Sequence, residues 1–345
     1  SMGRLTKKRT GAFYLTNLLL TVVLFVVLYL LIDGKVLTGR YTTLITLVCV
    51  NVILAVSLNL VTGILGQLVL GHAGFMLVGA YASALFTKNV GMALPISFPI
   101  SLVLAGLLAA LFGVIIGIPA LRLRGDYLAI ITLGFGEIIR VLANADFLKP
   151  ITNGAMGLGD IPTLYNRRTS PAGLFVYAFI IMVLVIVINF SFGRSRHGRA
   201  VIAIREDEIA AESAGVNTTY YKLFAFVLAA FIAGVAGGLY ANQIQVIDPA
   251  KFDFNRSVEI LIMVVLGGMG SITGSIISAT VLTVLPEMLR GFDEYRMLLY
   301  SIILIAVMLF KPSGLLGRYE ISVPGLFMKL WNKLKHPKQK TTGEA

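Results

Sequence analysis

The chain has 345 residues, of which 57% are hydrophobic and only 13% charged, and it carries a net charge of +12 at pH 7. Soluble domains average about 25% charged residues, so a large soluble helical bundle with polar faces at helical spacing is excluded. The single cysteine, Cys49, rules out an intramolecular disulfide and suggests no cysteine metal site.

Residues 11–32, 41–87, 89–121, 169–193, 223–247 and 260–286 contain no Asp, Glu, Lys or Arg. A helix needs roughly 20 apolar residues to cross a bilayer, and a central charge costs about 2.5–3.5 kcal/mol. The first of these runs follows Arg4, Lys7, Lys8 and Arg9 and is 22 residues long. That exceeds a signal-peptide core of about 7–15 residues, and no small-residue cleavage site follows, so it reads as a retained span.

Lys and Arg near span ends resist translocation and set orientation. Arg4 to Arg9, Arg122 with Arg124, Arg194 to Lys222 and Lys311 to Lys340 together hold 18 of the 29 basic residues. Placing all of them in the cytosol makes the charge a membrane-orientation signal with some attraction to anionic lipid, requiring no nucleic acid. Span 1 is then 11–32, spans 2 and 3 divide 41–87, span 4 is 95–121, and span 5 is 126–145. The longest external loop is 146–171, followed by span 6 at 172–192 and span 7 at 222–242. Two passes share 256–290, and the last is 296–311. The expectation is an all-α, polytopic integral membrane protein with about ten crossings and both termini cytosolic. Residues 1–317 form the transmembrane domain, with a cytosolic segment at about 198–219, and 318–345 form a basic tail. Trp331 among the tail lysines suits either a membrane surface or a free segment.

Two stretches depart from plain apolar helix. GILGQLVLGHAGFMLVGAY (63–81) and LGGMGSITGS (266–275) are rich in glycine. Glycine weakens a helix by about 1 kcal/mol relative to alanine and admits unwound backbone. Unwound backbone survives in lipid only where protein or a wet cavity surrounds it. The candidate pathway residues are therefore Gln67, Gly71, His72, Gly74, Gly267, Gly268, Gly270 and Ser271. Discontinuous helices of this kind occur in transporters built from inverted repeats. Spans 2–5 begin outside, spans 7–10 begin inside, and each group holds one glycine-rich break. The same glycines equally suit tight helix packing, and His72 and Gln67 equally suit interhelical hydrogen bonds. In span 5, Glu137 and Arg140 are three residues apart on one helix face, as a neutralised pair or as pathway groups. No second carboxylate is placed for a proton relay.

REDEIAAESAGVN (205–217) is polar and helix-friendly. Asp207 suits an N-cap, Glu208 the positive helix end and Gly215 a C′ stop. Ala210, Ala211 and Ala214 are expected to form a smooth face, with Arg205, Glu206 and Glu212 around it. So short a helix is marginal alone and needs packing; it reads either as a loop helix or as a docking nub.

Several long motifs occur in one order: GILGQLVLGHAGFMLVGAY, LRLRGDYLAIITLGFGEIIR, TNGAMGL, GRAVIAIREDEIAAESAGVN, EILIMVVLGGMGSITGS and KPSGLLG. Over roughly residues 41–317 the chain resembles the permease subunits of high-affinity branched-chain amino acid ABC importers, in the LivM-like branch. The resemblance implies that 205–215 couples the permease to its ATPases. In the general Glu-Ala-Ala pattern of such permeases, Ala210, Ala211 and Gly215 match, Ile209 replaces Glu, and Glu208 stands one place early. The resemblance further implies a sister permease, two cytosolic ATP-binding subunits, and a periplasmic or extracellular binding protein delivering leucine, isoleucine or valine. The sequence has no G-x-x-x-x-G-K-[ST] phosphate loop, so the chain binds no cofactor itself and ATP is used by partner subunits. A permease for urea or small amides, or an ion-coupled secondary transporter, are the alternatives. The location implied is the bacterial cytoplasmic (inner) membrane.

Overall fold

The computed structural model describes residues 2–123, 125–166, 170–311, 314 and 315; the expected basic tail 318–345 lies outside the described residues. The described chain is helical: α1 Met2–Asp33, α2 Gly39–Asn59, α3 His72–Asn89, α4 Leu94–Ala120, α5 Asp126–Asn144, α6 Lys149–Thr152 and α7 Gly173–Arg194. It continues with α8 Arg196–Glu206, α9 Glu208–Ser213, α10 Thr218–Ile244, α11 Phe254–Gly267, α12 Ile272–Met288 and α13 Arg296–Phe310. Six stretches are long and apolar enough to cross a membrane: Gly39–Leu65, Leu94–Ala120, Tyr127–Asn144, Gly173–Arg194, Thr218–Ile244 and Ile272–Gly291. Asn17–Asp33 and Leu298–Phe310 are shorter apolar helices.

Among the described residues six stretches, not the expected ten, reach full spanning length. α2 runs on through a π-helical turn, Leu60–Leu65, and α3 begins only after an irregular segment. The first residue of α3, His72, faces Ser57 of α2, whose hydroxyl also donates to the Ala229 carbonyl near the middle of α10. α3 therefore starts inside the bundle and runs toward the end where Lys88 donates to the Gly159 carbonyl. α11 has 14 residues, roughly 21 Å at 1.5 Å per residue and short of the 30 Å hydrocarbon core. It too starts inside: the Ser257 hydroxyl accepts from the Ala73 amide at 3.2 Å. α11 then runs to the basic end, so α3 and α11 meet near their N-termini and point apart.

The two glycine-rich breaks do not occupy equivalent places in a repeat. One separates the first and second helices of the group α2–α5, while the other separates the second and third helices of α10–α13. The gap after α10, residues 245–253, contains no glycine. Its Ile247 instead pairs with Leu158, the two exchanging backbone hydrogen bonds of 2.9 Å each. The Asn242 amide group fastens the same loop, donating to the Pro162 carbonyl at 2.5 Å and accepting from the Leu164 amide at 3.2 Å.

The core is a packing of small residues between α3, α4 and α10. A methyl group on Gly79 would lie 2.1 Å from the Gly234 carbonyl oxygen, and one on Gly237 only 1.9 Å from that of Met76. Lipid offers helices no hydrophobic drive to associate, so close backbone approach supplies the van der Waals gain instead. α4 shows the consequence. Phe98, Leu102, Ala105 and Ala109 are buried against neighbours, while Val103, Leu107, Leu111, Ile115 and Ile118 are exposed on the other side. Both faces are apolar, as a membrane helix requires. At the far ends of α2 and α12, Arg40 pairs with Glu287.

The substitution Gly237→Val drives a branched side chain into the α3 backbone. It is expected to lower the unfolding midpoint in detergent by about 5 °C or more. Cys49, 3% exposed and the sole cysteine, reports this directly through a thiol-reactive fluorophore.

Candidate functional site

α8 and α9 form the polar segment at the basic end. Ser195 caps α8, its hydroxyl accepting from the Gly198 amide at 3.0 Å. Asp207 caps α9, its carboxylate accepting from the Ala210 amide at 3.0 Å. The stop is a Schellman motif: the Gly215 amide donates to the Glu212 carbonyl and the Val216 amide to the Ala211 carbonyl. Gly215 takes φ +83°, which an L side chain rarely adopts.

The alanines do not form one face. Ala211 is buried at 6% exposure, while Ala210 and Ala214 are exposed, with Ile209 at 67%. The helical screw explains the difference, since 208, 211 and 212 share one side and 210 and 214 another. The inner side is fixed by two polar contacts to α10. Lys222, 3% exposed, meets Glu208 at 2.5 Å, and the Thr218 hydroxyl donates to Glu212 at 2.7 Å.

Arg205, at the end of α8, reaches into the bundle. In an α-helix the Gly63 carbonyl would accept from the Gln67 amide, but the left-handed Gly66 that closes the π turn brings that amide back to the Val61 carbonyl at 3.0 Å. The Gly63 carbonyl instead accepts from Arg205 Nη1 at 3.0 Å. Glu206 holds the same guanidinium at 2.5 Å. The first break then meets the second. The Gly270 amide donates to Asn59 Oδ1 at 2.8 Å, and a methyl on Gly63 would lie 2.3 Å from the Gly270 nitrogen. Gly66 (φ +75°) lies against the Arg205 stem, where a methyl would come within 2.5 Å of Cγ.

The second break is clamped from elsewhere. The Ser271 hydroxyl caps α12, accepting from the Gly274 amide at 3.0 Å. Leu315 donates its amide to the Leu266 carbonyl at 2.6 Å, and a methyl on Gly314 would lie 2.6 Å from the Gly268 nitrogen. The structure thus brings Gly270 of the second break against Arg205 of the polar segment, with Gly267, Gly268 and Ser271 beside it in the chain. Gly71, His72 and Gly74 lie elsewhere, in packed interior. A methyl on Gly71 would strike the Thr132 carbonyl at 2.1 Å, one on Gly74 would lie 2.8 Å from the Gly136 Cα, and His72 Nε2 sits 3.0 Å from the Ser57 hydroxyl. Gln67 is half-buried beside the π turn. Glu137 and Arg140 pair at 2.6 Å on α5, each about one-third exposed (34% and 31%).

Sequence reasoning missed a second polar group in the bundle. Arg256 donates to Asn51 Oδ1 at 2.7 Å, meets Glu259 at 2.9 Å and lies 5.9 Å from the Tyr240 ring centre. Asn51 in turn donates to the Thr283 hydroxyl at 2.8 Å. The available signal was an asparagine within the long apolar run 41–87. Asn59 and Lys222 were missed for a related reason, because their partners are distant in sequence or across a turn. Among the described residues, no three His, Cys, Asp or Glu side chains gather as a metal site.

Residues 40–309 match the family described as the branched-chain amino acid transport system permease component. The high-affinity branched-chain amino acid transport system permease protein LivM of Salmonella typhimurium (strain LT2) is 40% identical over 297 residues, 79% of this chain and 68% of that relative. LivM of Escherichia coli (strain K12) is 38% identical with the same coverage, 79% and 68%. BraD, the corresponding permease protein of Pseudomonas aeruginosa (strain PAO1), is 28% identical over 78% of this chain and 92% of its own. No solved structure matches the chain significantly. The chain belongs to the branched-chain amino acid transport system permease family.

Proposed function

We propose that this chain is the membrane permease subunit of an ATP-driven importer that translocates leucine, isoleucine or valine. The observation that carries the proposal is the Arg205 bond to the Gly63 carbonyl, which joins the coupling segment to the meeting point of both broken helices. The names of the relatives, permease proteins of branched-chain amino acid transport systems, support the substrate class. The sequence lacks a phosphate loop, so the energy enters from partners: two cytosolic ATP-binding subunits, acting on a pair formed with a sister permease. An external binding protein delivers the amino acid.

The protein is a multi-pass component of the bacterial inner membrane, and its basic end, with both termini, faces the cytosol. Ten helical passages result, α3 and α11 being partial. The order of a long helix, a shorter one starting mid-bundle and two more recurs in α2–α5 and α10–α13, which supports an inverted repeat. The exposed flank of α9, with Ile209, Ala210 and Ala214, docks to an ATPase. Closure of the ATPases presses α8 and α9, and Arg205 carries the displacement to Gly63 and Gly270. Gln67, Gly267, Gly268, Gly270 and Ser271 then bound the inner gate, with Gly71, His72 and Gly74 as its packed support. The Glu137–Arg140 pair serves as a neutral strut on α5.

Reconstituted with its ATPases, sister permease and binding protein, the importer is expected to take up leucine only with ATP and binding protein present. Concentrative uptake by this chain alone under an ion gradient overturns the proposal. In the reconstituted importer, Arg205→Met is expected to cut uptake about tenfold, with ATP hydrolysis held within about twofold. Equal loss of both activities would mean that Arg205 serves assembly instead. Breaking the buried pair with Lys222→Met is expected to destabilise by roughly 3 kcal/mol, because it removes the cation that faces Glu208. The double variant Lys222→Met/Glu208→Gln recovers most of that loss in the same thiol-accessibility melt.

A further inference from the structure

Beside the Arg205 joint, between the ends of α7 and α8, lies a cleft of about 340 Å³ that no step proposed above uses. Ile64, Ile202 and Ile272 give it apolar walls, and Arg194 and Arg205 bring positive charge. Asn189 also lines it and is only 1% exposed. The Asn189 amide NH2 donates to the Val185 carbonyl at 2.9 Å, which fixes the orientation of the group. Its Oδ1 is buried and meets no donor. A buried acceptor in that condition is costly until a donor arrives.

Each feature narrows the ligand. The guanidinium groups select a carboxylate or phosphate, and Arg205 has N–H donors beyond the three engaged with Gly63 and Glu206. The waiting acceptor selects an N–H donor, which a bare anion lacks. The isoleucine walls select a branched aliphatic group. The volume is at the small end of ligand pockets, about 300–1,000 Å³, enough for one amino acid. A zwitterion with a branched apolar side chain meets all four conditions.

We propose that this cleft binds a free branched-chain amino acid from the cytosolic side and that its occupancy slows the importer. The orientation and substrate class rest on the function proposed above. Arg205 and Gly270 line the cleft and also form the joint. A ligand bridging α7, α8 and the second break therefore resists the separation that import requires. The accumulated product reports on the cell's own supply.

The test uses the complete importer in proteoliposomes, empty or preloaded with millimolar L-leucine, and measures initial uptake of labelled valine. Internal leucine is expected to slow uptake several-fold, and Asn189→Val to abolish the slowing while uptake into empty vesicles is unchanged. If that variant fails to assemble, Ile202→Phe, which fills the cleft, is read in its place. In detergent without binding protein, labelled leucine is expected to bind the importer. 4-Methylpentanoate, which lacks the ammonium, should displace it about tenfold less well than leucine does. Slowing that persists in the cleft variants, or phosphate or anionic lipid binding there without leucine competition, overturns the proposal. If empty vesicles show no ATP-driven uptake, the transport function fails instead, and the binding measurement still decides the cleft.

Discussion

The structure turns on a single displaced carbonyl. An apolar helix can stop being α-helical inside a membrane protein only if the backbone groups it releases find other partners. At the end of α2 the π turn releases the carbonyl of Gly63, and the partner is a cation carried on a different, water-facing helix. A charge-assisted bond of this kind is stronger than a neutral one, so the break and the polar segment are positioned by each other. The absence of a side chain at Gly63 and Gly66 is part of the same requirement, since the Gly270 backbone and the Arg205 stem fill those places.

Around that joint the helices are held in two different ways. α3, α4 and α10 lock backbone to backbone through Gly79, Gly234 and Gly237, a contact too close to slide without separation. The joint has a different character. Gly66, Gly268 and Gly270 hold positive φ angles, and hydrogen bonds from Arg205 and to Asn59 join segments that also touch backbone to backbone at Gly63. The Leu315 bond to Leu266 places a second brace on the same segment, from a motif far along the chain.

Much of this was legible in the sequence because it depends on local chemistry. Charge-free runs located α4, α7 and α10 within a few residues, the alternation of sides placed α5 and α13, and Asp207 and Gly215 marked the ends of α9. What was not legible depends on distance. Counting apolar residues cannot reveal that α3 and α11 start in mid-bundle, because each start is set by a contact to another helix, Ser57 for one and Ala73 for the other. The smooth alanine face failed for the same reason. Which side of a six-residue helix turns inward was decided by Lys222, fourteen positions beyond its partner Glu208. The glycine clusters read correctly as breaks, but they do not stand at equivalent positions in the two groups of helices and instead meet face to face at one end.

The two anchors of the polar segment divide its work. A helix of six residues has almost no intrinsic stability, so by itself it would melt. The Glu208 and Glu212 contacts make α9 an extension of α10, which leads into the stiff core. Arg205, only two residues before the α9 cap, leads into the joint between the two breaks. The polar segment is therefore tied at two places, to α10 through Glu208 and Glu212 and to the first break through Arg205.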